Sequence, residues 1–377
     1  MNRREFSRLL GGAAVLLAAR RAACGAPAAS VDRPEVSEEA RRVYESSLVL
    51  DCNSSPPLPG KLPLSQGDLD LVRGSGIDVI KLSLGGINDD FPHTVASIGQ
   101  VQQLIELHAD HFTAVRNSAD ISRAQRERKL GIILSFESVQ MLGGQVSNLE
   151  VFRNLGVRVM QLSYNRSSPF AAGVMEPTAG GLTALGGEAV REMNRLGIAI
   201  DVSHANAAST FDVLALSSQP PVMTHAGCAA IHPHPRNKTD EQLRALAAKG
   251  GVVGIYDLPY LTASPRQPTV DDYMAHLEHA LQVAGEDHVG VGSDVGIAPL
   301  DTSPAGMAEI KRDLEERRAA GLSAPEEDRP PYVLGLNVPR RMEIIADRLL
   351  KRGYSAAATR KVLGANFARV FTQIWGS

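Results

Sequence analysis

Gly197-Ile-Ala-Ile-Asp-Val-Ser-His204 and Pro221-Val-Met-Thr-His225 are two short apolar runs, and each of them ends on a histidine. Apolar runs of this length, bounded by Gly or Pro, are typical of buried strands. A histidine at the end of a buried strand is well placed to face a pocket, so two on consecutive strands are candidates to hold one metal ion. The alternative is that each is an ordinary core or loop histidine with a polar partner.

Six further apolar runs extend this pattern along the chain. The eight predicted strands are residues 47–52, 77–84, 131–136, 157–162, 198–203, 221–224, 251–256 and 288–292. Segments with helical spacing of apolar residues separate most of them, at 95–128, 187–196, 208–216, 240–248 and 270–284. Strands that alternate with helices pair in parallel through crossover connections.

Eight such units predict an α/β fold of the (β/α)8 TIM-barrel type. An open doubly wound sheet is the alternative, but no glycine-rich fingerprint follows the first strand. Beyond the eighth strand, residues 299–335 are rich in Pro, Gly and charge and predict an insertion that either covers the barrel mouth or is a mobile surface segment. Residues 338–352 and 355–375 predict closing helices, so residues 31–377 form one predicted catalytic domain.

The N-terminus predicts an export signal. Asn2-Arg-Arg-Glu-Phe-Ser-Arg8 precedes a weakly hydrophobic stretch at residues 9–19, and small residues follow it. Paired arginines before such a segment are typical of a twin-arginine signal, which we assign to residues 1–30. The expected location is therefore the periplasm or the exterior of the cell. An ordinary amphipathic start is the alternative.

Composition excludes some function classes. The chain has 377 residues, of which 44% are hydrophobic and 21% are charged, and its net charge is -3. This balance is ordinary for a globular enzyme-sized chain and gives no sign of a nucleic-acid surface. No apolar run after the signal is long enough for a membrane span.

Polar residues occur at the predicted carboxyl ends of several strands, where TIM barrels carry their chemistry. Glu137, His204 and His225 form a two-histidine, one-carboxylate set, which is a known catalytic zinc arrangement with a fourth position left for water. The alternative for Glu137 is an ion pair with Arg158 or Arg236.

Four further residues are predicted to lie around the same pocket at the strand ends. We expect Asp294 to orient or deprotonate the metal-bound water, with a turn cap as its alternative role, and Tyr164 to face the same pocket from the end of its strand. Arg236 lies between a proline and an asparagine and suits capture of a substrate carboxylate. Its alternative is a surface ion pair, and Tyr256 is expected to line the pocket.

Several segments together resemble the membrane (renal) dipeptidase family of zinc peptidases, in order and spacing, over most of the chain after the signal. They are Leu134-Ser-Phe-Glu137, Gly156-Val-Arg-Val-Met-Gln-Leu162, Glu192-Met-Asn-Arg-Leu-Gly-Ile198, Asp201-Val-Ser-His204, Thr224-His225, His234-Pro-Arg-Asn237, Gly250-Gly-Val-Val253, Gly290-Val-Gly-Ser-Asp294 and Val362-Leu-Gly-Ala-Asn-Phe-Ala-Arg-Val-Phe371.

The resemblance implies a (β/α)8 barrel that hydrolyses dipeptides, some with a D-residue at the C-terminal position, with two zinc ions bridged by a glutamate. It assigns the bridge to Glu137 and one zinc to His204 and His225. It also implies that Asp294 is the acid/base and that Arg236 binds the substrate carboxylate.

The sequence departs from the family pattern at three positions. Asn53 and Ser55 stand where the family has the His and Asp of its other zinc site, and Tyr164 stands where it has a histidine that steadies the intermediate. We further expect Asp51 to point into the barrel and Cys52 to point away from it by strand alternation. The hypothesis is one zinc ion, on Glu137, His204 and His225.

The predicted function is therefore an exported, zinc-dependent dipeptidase-like hydrolase of dipeptides or similar small amides. The alternative is a catalytically degenerate barrel that binds a small ligand without hydrolysis. A homodimer and a monomer are both left open. Cys52 and Cys228 are expected to be unpaired thiols, with a disulfide as the alternative.

Overall fold

The computed structural model describes residues 35–58, 62–85 and 90–376 of the chain. The predicted export signal at residues 1–30 lies outside the described residues. The predicted first strand, the eight barrel units and the insertion all lie within them, so the fold prediction can be compared with the structure element by element.

Ten strands form one parallel sheet. They are β1 (Leu50–Asp51), β2 (Val79–Ser83), β3 (Phe112–Ala114), β4 (Leu130–Phe136), β5 (Val157–Met160), β6 (Ala199–Ile200), β7 (Met223–Cys228), β8 (Asn237–Lys238), β9 (Val253–Ile255) and β10 (Val289–Val291). The pairing order is β6-β5-β4-β2-β1-β10-β9-β7-β8, with β3 added beside β4. A parallel bridge between Asp201 and Val222 joins the end of β6 to the start of β7. This bridge closes the eight predicted strands into a barrel, and the predicted fold class is confirmed.

Two short strands were not predicted. Residues 95–128, expected to be one helical segment, instead contain a helix, β3 and a second helix. The prediction was wrong there because helical spacing on both sides hid a three-residue strand. The second unpredicted strand, β8, pairs with β7 through Gly227 and Asn237. It lies outside the ring of barrel strands. Arg236 directly precedes it, and the pairing of β8 with β7 keeps Arg236 close to the strand ends.

Helices connect the strands and surround the barrel. They are α1 (Glu38–Ser46), α2 (Gln66–Ser75), α3 (Phe91–Leu107), α4 (Ser118–Glu127), α5 (Asn148–Asn154), α6 (Ala184–Leu196), α7 (Ala207–Leu216), α8 (Asp240–Ala248), α9 (Val270–Ala284), α10 (Pro304–Ala319), α11 (Arg341–Lys351), α12 (Ala356–Arg360) and α13 (Asn366–Trp375). Ser, Thr, Asn or Asp caps many helix N-termini, as at Thr239 and Thr269, where full capping boxes form. Such caps satisfy orphan backbone donors and define where each helix begins. None of the described helices combines the length and apolar character needed to cross a membrane.

The C-terminal helix closes one end of the barrel. Apolar residues from the beginnings of the strands, such as Leu50, Val79 and Val222, form one cluster with Phe367 and Phe371 of α13. All of these side chains are almost completely removed from solvent. The closing role predicted for the last helices is therefore seen in α13, and the open end of the barrel is the end where the strands terminate.

The expected orientation of Asp51 was wrong. Asp51 is in register with Ile80, which belongs to the large cluster between the strands and the helices. Its carboxylate accepts hydrogen bonds from Ser293 and lies 3.6 Å from Arg341 of α11. Cys52 clusters instead with Leu50 and Val79 on the inner side. The two residues alternate between the faces of the strand, as expected, but Asp51 faces the helices and Cys52 faces the barrel interior.

Neither cysteine of the described chain forms a disulfide. Cys52 and Cys228 are both buried free thiols. The Sγ atom of Cys228 donates to the carbonyl oxygen of His276 at 3.3 Å. Burial raises the pKa of Cys228 to about 12, so this thiol stays protonated at neutral pH. The preferred expectation of two unpaired thiols is confirmed.

The insertion at residues 299–335 packs over the mouth of the barrel. Arg317 at the end of α10 lies against Tyr164, and Glu327 accepts a hydrogen bond from Tyr260. Asn165 also donates to the carbonyl oxygen of Leu322 at 2.9 Å. Of the two alternatives for this segment, the described contacts match the covering arrangement.

Candidate metal centre and pocket

The two histidines singled out from the sequence meet at the open end of the barrel. His204 follows β6 and His225 lies within β7, and their Nε2 atoms are 3.0 Å apart. His204 is 2% exposed and His225 is fully buried. Adjacent parallel strands bring their ends together, so the same register that closes the barrel also brings the two imidazoles together.

The outer nitrogen of each ring has its own partner. His204 Nδ1 lies 2.8 Å from Oδ1 of Asn165, whose amide nitrogen already donates to Leu322. His225 Nδ1 lies 2.9 Å from Oγ1 of Thr224, which donates its hydrogen to Asp201. Each Nδ1 therefore carries the hydrogen, and each Nε2 presents a lone pair towards the other.

Both imidazoles are held neutral. Burial, followed by the positive charge of Arg236, keeps the pKa of His204 and of His225 well below the ordinary histidine value. Two lone pairs that face each other at 3.0 Å repel unless a proton or a cation lies between them. Two nitrogens at about 2.0–2.1 Å from a tetrahedral zinc would be roughly 3.3 Å apart, close to the spacing seen here.

Two carboxylates lie on the other side of the pair. One ligand atom from each of Glu137, His225 and Asp294 lies within 4.8 Å of the others, and all three residues are buried. Oε2 of Glu137 is buried without a hydrogen-bond partner among the described residues. An ionised oxygen in that state costs several kcal/mol unless a cation or donor reaches it.

Neither alternative partner proposed for Glu137 reaches its Oε2, which has no hydrogen-bond partner among the described residues. Arg158 donates to backbone carbonyls of Arg116, Arg153 and Val157. Arg236 donates to the carbonyl oxygen of Ser203 at 2.6 Å. Glu137, His225 and Asp294 therefore form the set whose ligand atoms lie close enough together to hold a cation such as zinc. Of the predicted set, His204 adjoins this group only through the 3.0 Å contact between its Nε2 and that of His225, and Asp294, at the end of β10, takes the third place.

The amide of Asn53 lies between the two carboxylates. Its Nδ2 donates to Oε1 of Glu137 at 3.1 Å and to Oδ1 of Asp294 at 2.6 Å. An amide nitrogen with its two hydrogens is a donor only and cannot ligate a metal. The Oδ1 atom of Asn53 is buried without a partner among the described residues, but a neutral amide oxygen is a weaker zinc ligand than imidazole or carboxylate. Ser55 is also buried but offers only a hydroxyl. The first metal position of the family pattern thus lacks strong ligands at both residues.

Asp294 has an unusual backbone and a perturbed carboxyl. Its φ of 59° lies in the left-handed region, which is uncommon for a residue other than glycine, although aspartate adopts it more readily than most. Burial, followed by the charge of Glu137, raises the pKa of Asp294 well above its ordinary value. This direction of the shift suits a carboxyl that takes up a proton and passes it on during a reaction.

Arg236 is positioned by its neighbours. Its backbone N–H donates to Nδ1 of His234 at 3.1 Å, and its guanidinium lies 5.9 Å from the ring centroid of Tyr256. Its Nη2 is buried and has no partner among the described residues. Tyr256 itself is fully buried behind Arg236 and donates its hydroxyl to Asn237, so the described pocket lining includes Tyr260 and not Tyr256.

A pocket opens above these groups at the mouth of the barrel. Its lining includes His204, Arg236 and Asp294 from the barrel together with Arg317 and Glu327 from the insertion. Tyr164 also lines it and stacks on the ring of His204, with centroids 4.1 Å apart. Burial raises the pKa of the Tyr164 hydroxyl, so this group remains a protonated donor.

Several residues of this site were missed by sequence reasoning. Thr224 and Asn165 orient the histidines, and each is adjacent in sequence to a residue that was singled out. Asp201 and Lys81, 3.9 Å apart, were visible only as single charges within buried strands. Arg317 gave no signal at all, because nothing in a charged insertion distinguishes one arginine from the next.

The fold and this site together place the chain among (β/α)8 barrels with a candidate metal centre at the open end. The sequence pattern of the membrane dipeptidases, peptidase family M19, matches residues 29–315. The chain therefore belongs to the membrane dipeptidase family.

Individual relatives agree with this placement. Dipeptidase tcpJ of Claviceps purpurea is 28% identical over 284 residues, which are 74% of this chain and 60% of that protein. An uncharacterized dipeptidase of Schizosaccharomyces pombe is 31% identical over 369 residues, covering 86% of this chain and 88% of that one. The crystal structure of an amidohydrolase from Pseudomonas aeruginosa superposes with a TM-score of 0.76 at 28% identity, over 90% of this chain and 99% of that chain.

Proposed function

We propose that this chain is an exported, zinc-dependent dipeptidase that cleaves dipeptides or similar small amides with a single metal ion. The observation that carries the proposal is the facing Nε2 pair of His204 and His225, with the unpartnered Oε2 of Glu137 beside it. The amide of Asn53 between Glu137 and Asp294 supports one ion and not two.

The residues of the pocket suit an amide with a free carboxylate. The chemistry that zinc supplies in such a site is activation of water for attack on a carbonyl carbon. Arg236 offers a buried, unpartnered Nη2 to the substrate carboxylate. Asp294 accepts a proton from the attacking water and delivers it to the leaving amine nitrogen, for which its raised pKa is suited.

Export through the twin-arginine route is part of the proposal and rests on the sequence of residues 1–30. That route carries folded proteins, so a metal site formed before transport is compatible with it. A fusion of residues 1–30 to a reporter that is active only outside the cytoplasm tests the export. Replacement of Arg3 and Arg4 by lysine is expected to abolish reporter activity.

One experiment tests the hydrolase. The mature chain, loaded with zinc, is incubated with a panel of dipeptides that includes D-residues at the C-terminal position, and its metal content is measured on the same sample. We expect free amino acids to be released by at least part of the panel. Full metal occupancy without turnover of any dipeptide would contradict the proposal.

The same incubation addresses the second candidate, a barrel that binds a small ligand without cleaving it. The observation in its favour is that Asn53 and Ser55 lack the ligand strength of the family residues. Retention of an intact dipeptide by the metal-loaded protein, without amino-acid release, would establish this alternative.

A further inference from the structure

Arg317 belongs to the 299–335 insertion, yet its guanidinium lies inside the pocket beside the candidate metal centre. Its side chain is 9% exposed. Its Nε donates to Oε1 of Glu327, and its Nη2 lies 3.5 Å from the hydroxyl oxygen of Tyr164. Its Nη1 is buried and has no hydrogen-bond partner among the described residues.

Glu327 holds this guanidinium in position and leaves Nη1 free. The second oxygen of Glu327 accepts from the hydroxyl of Tyr260 at 2.8 Å and from the backbone N–H of Ala324 at 3.0 Å. The carboxylate is therefore occupied and cannot turn towards Nη1. A buried charged donor without an acceptor is costly, so an acceptor supplied by a ligand is expected at this point.

Tyr164 places the same region next to the reacting centre. Its ring stacks on His204 at 4.1 Å, so the phenol lies against a candidate metal ligand. Its oxygen accepts from Arg317, which leaves the phenolic hydrogen to donate. Two donors, one of them cationic, thus converge in a pocket that Asp294 and Arg236 also line.

We propose that Arg317 and Tyr164 together bind the carbonyl oxygen of the scissile amide and stabilise the negative charge that develops on it. This inference rests on the proposed function. As the water oxygen bonds to the carbonyl carbon, the π electrons of the C=O bond move to the carbonyl oxygen. The proton of the water passes to Asp294. A lone pair of the oxyanion then re-forms the C=O bond as the C–N bond breaks. The electrons of the C–N bond go to nitrogen, which takes the proton from Asp294, and the products are a carboxylic acid and an amine.

The assignment separates the roles of the two arginines. Arg236 faces the C-terminal carboxylate, which is already charged in the substrate. Arg317 and Tyr164 face an oxygen that becomes charged only as the reaction proceeds, so they act more strongly on the transition state than on the bound substrate. Removal of one such donor typically lowers kcat by about 10²- to 10³-fold.

The experiment compares Arg317→Met and Arg317→Ala with wild type, each at measured metal occupancy. We expect kcat to fall by about 10²- to 10³-fold while KM changes by less than about threefold. Added guanidinium is expected to restore part of the activity of Arg317→Ala. A phosphinate analogue of a dipeptide, which mimics the tetrahedral centre, should lose affinity in parallel with kcat.

Two controls separate this role from a structural one. Arg318→Met changes the exposed neighbour on the same helix and is expected to leave kcat unchanged. Glu327→Gln weakens the contact that positions Arg317 but keeps the guanidinium, so its kcat should fall much less than that of Arg317→Met. An equal fall in the kcat of both variants, with unchanged phosphinate affinity, would overturn the inference. The contact between Arg317 and Glu327 would then have a purely structural role.

The remaining outcomes are also decisive. Wild-type turnover together with an undiminished kcat in Arg317→Met would refute the role of Arg317 and leave the dipeptidase proposal standing. Absence of turnover by the metal-loaded wild type would refute both.

Discussion

The hydroxyl of Thr224 is expected to control metal affinity through His225, and an isosteric change tests this. Thr224→Val keeps the shape of the side chain but removes the acceptor that lies 2.9 Å from His225 Nδ1. A metal ion on Nε2 requires the hydrogen on Nδ1, which would then be buried without a partner. Such a donor costs about 1–3 kcal/mol, which is about a 5- to 150-fold change in affinity.

The cost falls on the metal-bound form. Without metal, His225 can shift its hydrogen to Nε2 and donate to Nε2 of His204. The metal-free variant therefore loses mainly the contact between Thr224 and Asp201, worth about 1.5–3 kcal/mol, and the metal-bound variant loses that contact as well. We therefore expect the dissociation constant for zinc to rise about 10- to 100-fold in Thr224→Val, as is usual when a residue that orients a metal ligand is lost.

A chelator-competition titration of the metal-free proteins measures the effect. Thr224→Ser retains the hydroxyl and is the matched control, expected within about threefold of wild type. Thermal unfolding without metal checks that both variants fold. A folded Thr224→Val that binds zinc within twofold of wild type would refute the assignment of the hydrogen to Nδ1.

Three further predictions concern metal count, acid stability and thiols. Elemental analysis should find one tightly bound metal ion per chain, and two would contradict the role given to Asn53. Burial lowers the pKa of His234 to about 4, so the unfolded chain binds a proton at higher pH than the folded one, and stability is lost as the pH falls from about 6.5 towards 4. In urea unfolding, the difference in unfolding free energy between pH 7 and pH 5 should be smaller for His234→Asn than for wild type. An equal difference in both proteins would refute this role of His234. Cys52 and Cys228 should both react with a thiol reagent only after unfolding, without prior reduction, and a requirement for reductant would reveal a disulfide.

The barrel was predictable because its strands carry the signal that sequence shows best. Each of the eight is a short run of apolar residues bounded by Gly, Pro or polar residues, buried on both faces. The strand β3 was not predictable in the same way, since Phe112–Ala114 has only three residues between two helices of matching periodicity. The face of Asp51 was misassigned because one charged residue does not tell which side of a two-residue strand is inward.

The site was predictable only to the extent that it follows from the barrel. His204, His225, Glu137 and Asp294 could be grouped because strand ends in a parallel barrel converge. The hydrogen-bond partner of each imidazole could not be predicted, because hydrogen-bond direction depends on side-chain rotamers and not on spacing. Arg317 was out of reach for a different reason: its contact with Tyr164 spans 153 positions and depends on how the insertion folds back.

Asn53 provides the last step of the argument. Glu137 and Asp294 are two buried carboxyl groups that share one amide, and an amide supplies hydrogen bonds but no charge. Two ionised carboxylates at that distance repel each other unless a cation or a proton compensates. With one cation on Glu137 and the histidines to compensate one of them, the other is compensated when Asp294 takes the proton of the attacking water. Asn53 supplies no charge of its own, so Asp294 is a stronger base towards that proton than it would be beside a second cation, and it then delivers the proton to the leaving amine.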